Sequence, residues 1–393
     1  MIPTLAAVFR KELLETLRDR RALLSSLVMG PLFAPLLFIG MLAISLDRSV
    51  SALDEAVAVT VSGAERAPNL VRFLREQGFD LSLRDGLDAE LRRWIEDDSE
   101  LVVMAVPDGF GERFAGGRPA RVLVYADGSN SKAERRADRL RAAIGGYSGA
   151  LASLRLQARG ISPLVAQPVV VDDVDVSTPA ARATLVLGML SYLILLVTLV
   201  GGMYLAIDAT AGERERGSLE PLLTMPVPRA QLIYGKVLAA AFFMSVALAL
   251  VTTTLALSIR QLPLETIGMS ANFGPGVALG VFLSTLPFVT VGAALLTVVA
   301  SFTRSYKEAQ TWLGVLMLVP TLPIAVAGVL GIKANAALMA VPSLSQHLLI
   351  QGFLRGDPLP TGYAAISVAS TLALGGLLTW IAGRLYQRER ILG

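Results

Sequence analysis

Cysteine is absent from this chain and histidine occurs once, at His347. The first absence excludes disulfides, thiol nucleophiles and cysteine-bound metals. The second leaves no HExxH zinc site. A GxxxxGK[ST] phosphate loop is also missing: Gly235-Lys236 is followed by Val237, with no phosphate-cradling turn before it. The chain is therefore not expected to hydrolyse ATP by itself, and no catalytic residue is assigned. Charge is scarce too. Only 17% of residues are charged and 53% are hydrophobic, whereas a soluble protein carries about 25% charged residues. The net charge of +3 is small and its basic residues form no long polar surface, so nucleic acid is not an expected partner.

What is present is a series of long apolar runs. Crossing a bilayer takes roughly 20 apolar residues, and six runs qualify: about 22–46, 183–207, 232–259, 275–302, 310–332 and 362–384. The first is too long for a signal peptide core and ends without a convincing cleavage site, so it reads as a retained anchor. Arg10, Lys11, Arg18, Arg20 and Arg21 precede it. Arg214, Arg216 and Arg229 lie between spans two and three, Arg304 and Lys307 between four and five, and Arg384, Arg388 and Arg390 after six. The positive-inside rule then places both termini in the cytoplasm and residues 47–182 outside.

Residues 1–21 form a separate element. Leu5, Phe9, Leu13 and Leu17 predict one apolar edge of a helix, with Arg10, Lys11, Arg18 and Arg21 turned elsewhere. That pattern suits a helix lying in the membrane interface; the alternative is a solvated basic leader. Residues 47–182 are domain-sized. Strands are predicted at Val57–Val61, Phe79–Leu83, Leu101–Val106 and Arg121–Tyr125, alternating with helices at Leu70–Gln77, Leu87–Ile95 and Ser131–Ala158. Pro168–Val176 leads back to the membrane. The alternation implies an α/β unit with a partly parallel sheet. Its role is open between binding a partner, gating and binding substrate.

The densest charge block, Gly212-Glu213-Arg214-Glu215-Arg216-Gly217-Ser218-Leu219-Glu220-Pro221-Leu222-Leu223, lies between spans two and three. It cannot sit in hydrocarbon. Glu213–Arg216 continues span two, Gly217 ends it, and Ser218 is a plausible N-cap for a short helix over Leu219–Thr224. Glu220 suits the positive end of that helix. Such an element presents its charges to a docking partner; the alternative is an ordinary solvated turn. His347, beside Gln346, reads as an interfacial side chain rather than a catalyst.

This block, followed by Met225-Pro226-Val227-Pro228-Arg229 and Gly235-Lys236, resembles the coupling loop of ABC-2 type exporter permeases of the NatB-like, sodium-efflux group. Asp208, the run Ser305–Thr311, Val106–Phe110 and Asp127–Asn130 are similar as well. The resemblance implies a six-span ABC-2 fold in a bacterial or archaeal plasma membrane, with a coupling helix at 213–225, a second loop at 303–310 and an external connection at 333–361. It implies a permease that pairs with a second permease copy, as homodimer or heterodimer, and with two separate ATPase subunits. Those subunits would hold ATP and magnesium; this chain would bind no cofactor. Tyr306, Lys307 and Glu308 would add contacts to the ATPase.

Sodium is a hard cation that seeks oxygen ligands. No acidic residue lies in the middle of a span, and Asp208 stands at the end of span two. The oxygens available along the path are hydroxyls: Ser191, Thr198, Ser284, Thr285 and Thr290, with Ser245, Thr252–Thr254 and Thr297 besides. Hydroxyls in membrane helices commonly serve packing, so export of an amphiphile, a drug or a lipid is the alternative. A membrane-anchored sensor is a third reading, from a different class.

Overall fold

A computed structural model describes the chain except residues 1, 55, 98, 167–183, 263, 265–272, 358–359 and 388–393, and gives backbone alone at a few helical positions, Leu223 among them. The segment Pro168–Val176, Arg388 and Arg390 thus lie outside the described residues. The chain divides into two compact units, Met1–Val50 with Val176–Gly393, and Ser51–Asp175.

The first unit is helical. Six helices among the described residues are long and apolar enough to span a membrane: Leu24–Leu46, Val186–Glu215, Arg229–Gln261, Pro275–Phe302, Tyr306–Gly328 and Thr361–Tyr386. Spans two, three and four are 61%, 50% and 56% buried, whereas spans one, five and six are 17%, 22% and 17% buried. The middle three therefore form the centre of the bundle. Their seam is built from small residues, as expected where lipid supplies no hydrophobic drive and close van der Waals contact must hold helices together. At Gly201 of span two a methyl group would collide with the Ala247 side chain of span three.

Three spans depart from a continuous α-helix, span five by a break at Met317. Leu24–Phe33 in span one and Asp208–Gly212 in span two are π-helical. Span five starts at Tyr306, four residues before the predicted 310, because Ser305 caps it. Hydropathy cannot mark such a start, since a capping hydrogen bond rather than apolar content sets it. Span two runs on into the charge block to Glu215, in line with the reading of Glu213–Arg216 as its continuation.

Ahead of span one lies helix α1, Ile2–Arg18. Its inward face differs from the predicted edge. Phe9 and Leu13 pack on the core, but Glu12 is buried and Leu17 is 47% exposed. The rotation follows from its contact with span three. A methyl group at Gly235 would come within 2.6 Å of Val8 Cγ1 and 3.3 Å of the Phe9 amide, so only glycine lets the helices approach this closely. Phe9 then meets Phe242 edge to face, with ring centroids 6.2 Å apart.

The second unit carries a four-stranded sheet in the order β2-β1-β3-β4. The strands are β1 Val57–Ser62, β2 Phe79–Leu83, β3 Val102–Ala105 and β4 Leu123–Ala126. β1 pairs in parallel with β2 and β3, and β4 is antiparallel to β3. Helices α2 Pro68–Glu76, α3 Asp88–Glu96, α4 Phe110–Ala115 and α5 Ser131–Gln157 connect and cover it. Alternation along β3 sorts the faces: Val102 and Met104 join Leu70, Leu74, Ala137 and Leu140 of α2 and α5, while Val103 and Ala105 join Leu91 of α3. The sequence offered no sign of α4, which at six residues is too short to show a period. Asn130 caps α5 by accepting from the amides of Lys132 and Ala133.

Between spans five and six, helix α7, Leu344–Arg355, is mostly buried. His347 is 3% exposed and is not the interfacial side chain that the sequence suggested. Arg355 Nη2 donates to Gln351 Oε1 over 3.0 Å, which turns the Gln351 amide nitrogen toward His347 Nε2, 3.2 Å away. His347 Nδ1 must then carry the proton and donate to Ser191 Oγ, 2.7 Å away, which in turn donates to Gly188 O. Every position in this chain suits a neutral imidazole. Burial, then the Arg355 charge, pushes the His347 pKa down to about 4. The unfolded chain takes up a proton near pH 6.5 and the folded chain only near 4. This contribution is thus complete above about pH 6.5 and falls as pH drops toward 4, by about 3 kcal/mol in all. His347→Asn, whose amide can replace Nδ1–H, is expected to flatten the pH dependence of thermal unfolding between pH 4 and 6.5.

Candidate functional site

The charge block adopts two short helical pieces. Glu213–Glu215 completes span two, and Gly217 reverses the chain with φ of +68°. Helix α6, Leu219–Leu223, follows. Ser218 stands at its N-cap position but makes no side-chain cap bond; its hydroxyl donates instead to Glu213 O, 3.1 Å away. Leu219 is buried against Ile233, Ala382 and Tyr386, which fastens α6 to spans three and six. Glu220, Pro221, Thr224 and Met225 are exposed and Leu222 is half-buried.

The four charges Glu213–Arg216 are engaged within the chain, each by a different element. Lys236 of span three is completely buried. Its ammonium donates to Glu213 Oε2 at 2.7 Å, Glu12 Oε1 at 2.9 Å and Ala209 O at 2.7 Å. Those three acceptors match its three N–H groups. The π-turn makes the carbonyl contact available: Glu213 N–H bonds to Asp208 O rather than to Ala209 O, the partner an α-helix would use. Lys11 of α1 reaches Glu213 Oε1 at 2.7 Å, Glu12 at 3.1 Å and Glu15 at 3.2 Å. Burial alone would lower the Lys11 pKa, but its hydrogen bond to Glu213 and the charges of Glu12 and Glu213 outweigh that and raise it.

Arg214 turns to the end of span four. Its guanidinium donates to Thr303 O at 2.7 Å and Ser301 O at 2.8 Å, carbonyls that the helix end leaves without partners. Glu215 Oε2 accepts from the Tyr306 amide, 2.6 Å away, at the first turn of span five. A carboxylate there meets the positive end of the helix dipole, beside Glu308, which accepts from the Arg304 amide at 2.8 Å. Arg216 closes back on Asp208 at 2.7 Å; that hydrogen bond raises its pKa above the ordinary value. Lys307 is exposed. The sequence reading left these charges to a partner. In the structure they have partners inside the chain and gather α1 and the adjoining ends of spans two to five around one loop.

The path hydroxyls lie elsewhere. Thr198 donates to Ile194 O, Ser284 to Val281 O and Thr290 to Pro287 O, each within its own helix. Thr290 also packs where a side chain at Gly375 of span six would stand. Ser191 belongs to the His347 chain, and Thr285 Oγ1 is buried without a partner. Among the described residues no hydrogen bond joins these hydroxyls to one another or to Asp208, whose carboxylate pairs with Arg216. Among the described residues no group of three acidic or histidine side chains could hold a metal.

Sequence reasoning missed Glu12, Lys11 and Lys236 as members of the cluster. A signal existed: a lysine inside a predicted span and a glutamate on the apolar side of a helix are both costly unless paired.

A profile described as ABC-2 family transporter protein matches residues 6–389. The chain is also similar to a protein named ABC transporter permease protein NatB from Bacillus subtilis (strain 168). The two are 23% identical over 377 residues, covering 94% of each. With six membrane-length helices, a loop that binds the adjoining ends of spans two to five and a family match over nearly its whole length, this multi-pass membrane protein belongs to the ABC-2 family of transporter proteins.

Proposed function

We propose that the chain is the membrane permease subunit of an ATP-driven exporter, energised by two separate ATPase subunits that seat on the exposed side of α6. One observation carries this reading: four consecutive charges each tie the loop to a different segment, so a push on α6 is passed to α1 and to spans two to five together. Leu219 supplies the anchor, while Glu220, Pro221 and Met225 offer the free surface, with Lys307 close in sequence to the Glu215–Tyr306 contact. On this reading the loop and both termini are cytoplasmic, the α/β unit is external, and two permease copies work as a homodimer or heterodimer. The family match over the whole chain speaks against a sensor.

Sodium is the proposed cargo, from the resemblance of the loop. The second reading, an amphiphile, is favoured by the placement of acids among the described residues: those within spans two and five, Asp208, Glu213, Glu215 and Glu308, stand near span ends. An ion path usually carries an ionisable group deeper. Flux into proteoliposomes containing the partner ATPase, with sodium and amphiphile compared, separates the two; ATP-driven sodium flux that is absent while amphiphile flux persists refutes the first.

Docking is tested by Glu220→Ala with Met225→Ala, both exposed. Loss of interface contacts is expected to weaken ATPase binding about tenfold, equivalent to about 1.4 kcal/mol, with thermal stability changed by less than about 0.5 kcal/mol. Unchanged ATPase binding and stimulation would falsify the assignment of this surface.

A further inference from the structure

A groove opens on the outside of the helical unit where spans three, four and six meet. It encloses about 380 Å³ and is lined by Tyr234, Thr290, Leu372, Gly375, Gly376 and Trp380. Two adjacent glycines shape it, for different reasons. The Thr290 side chain occupies the place of a side chain at Gly375, so spans four and six need that glycine to pack. A methyl group at Gly376 would meet nothing within 4 Å. Packing does not call for this second glycine, although glycine is the poorest helix former after proline. What its missing side chain provides is the groove.

Leu372, Gly376 and Trp380 follow at four-residue intervals on one face of span six, and about 12 Å of helix separates the first from the last. The Trp380 end lies toward the loop, because Ala382 and Tyr386 pack on Leu219 of α6. Leu372 stands at the middle of the span, which runs from Thr361 to Tyr386. A hydrocarbon core is about 30 Å thick, so the groove passes through most of one leaflet and stops.

Its loop end suits a headgroup. Tyrosine and tryptophan gather at membrane interfaces, and Tyr234 and Trp380 stand here. The Arg384 guanidinium, one turn nearer the loop, lies over the Trp380 ring, 5.0 Å from its centre. Such stacking orients a guanidinium and leaves its donors free. Arg384 is exposed, and among the described residues no carboxylate lies within ion-pair distance of it.

We infer that this groove holds one acyl chain of an anionic phospholipid, with the lipid phosphate at Arg384. A span from a second copy fits less well, since it would cross the whole bilayer whereas the groove ends at mid-membrane. That the leaflet is the cytoplasmic one rests on the orientation proposed above; the groove itself does not.

The test uses a tryptophan already in place. Trp94→Phe with Trp312→Phe leaves Trp380 as the one tryptophan of the full chain. Its fluorescence is read in phosphatidylcholine liposomes containing rising fractions of phosphatidylglycerol or phosphatidylcholine brominated on the acyl chains. Brominated phosphatidylglycerol is expected to quench at about fivefold lower mole fraction, the preference one arginine confers at an anionic surface. Arg384→Gln should erase that preference and leave quenching by phosphatidylcholine unchanged, and raised salt should reduce it. Gly376→Leu fills the groove and should weaken quenching by both lipids, whereas Gly376→Ala adds one methyl group and should not. Equal quenching by the two lipids, or a preference that survives Arg384→Gln, overturns the headgroup assignment. Quenching untouched by Gly376→Leu shows that lipid lies outside the groove and overturns the site. Absence of quenching, with Gly376→Cys cross-linking two chains, assigns the groove to a second copy instead. Neither orientation nor an ATPase enters the measurement, so its failure leaves the proposed function standing.

Discussion

Replacing Lys236 by methionine is expected to destabilise the helical unit by about 3–5 kcal/mol, the usual cost of removing one partner from a buried ion cluster. The side-chain volumes are similar, so the loss is not one of packing. It arises because Glu12 and Glu213, 4% and 5% exposed, would retain their burial while losing the ammonium between them. Lys11 would still neutralise Glu213 at 2.7 Å, which sets the effect below that of leaving both carboxylates bare. Thermal unfolding of the purified chain measures this, and Glu213→Gln combined with Lys236→Met should recover part of the loss. The exposed end of the network behaves differently. Lys11 and Glu15 pair one turn apart with both side chains about half exposed, and Glu15→Ala is expected to cost only about 0.3–0.5 kcal/mol. A Lys236→Met protein as stable as the parent would show that the cluster does not hold α1 and spans two and three together.

Gly235→Val is expected to have an effect of comparable size by a different route. A Cβ at this position meets Val8 Cγ1 at 2.6 Å and Val8 Cβ at 2.8 Å, and branching adds atoms to the same space. Helix α1 must then move away from span three. Overpacking costs about 1–3 kcal/mol by itself, and the displacement also pulls Glu12 from Lys236, the next residue along. The two losses are therefore coupled and should not add to those of Lys236→Met. Hydrogen exchange in α1 is the direct readout: its amides should exchange much faster in Gly235→Val while the centre of span four stays protected. If α1 remains protected, its attachment does not depend on this close approach. The absence of cysteine offers a second readout, since a cysteine pair placed across α1 and span three would cross-link without background.

The reach of the sequence can be judged from particular residues. Spans two to four were legible because apolar length is a local property that outlasts a single interruption such as Lys236 or Pro287. The division of the loop at Gly217 and Leu219 was legible for a similar reason: a positive φ and an amphipathic turn each leave a mark within a few residues. The direction of α1 was not. Leu17 belongs to its apolar repeat, yet Glu12 faces the core, since an absent side chain at Gly235 and an ammonium one position further decide which face docks. Ser191 and His347 show the same limit. Each was placed near a membrane surface or path by composition, and their hydrogen bond spans 156 residues.

Within the Glu213–Leu223 block, the four charges Glu213–Arg216 each have a partner inside the helical unit. The sequence by itself determined that these charges cannot lie in lipid, that two long spans flank them and that the loop resembles a coupling segment. The first two follow from hydrophobic length; the third rests on the resemblance of the residue string itself. Only the tertiary structure decided which partner each charge meets. Lys236 finds Glu12 across 224 residues and Arg214 finds Thr303 O across 89, and no local pattern encodes such pairs. They form because a buried charge or a helix-end carbonyl must be satisfied from whatever side chain the packed bundle brings within reach.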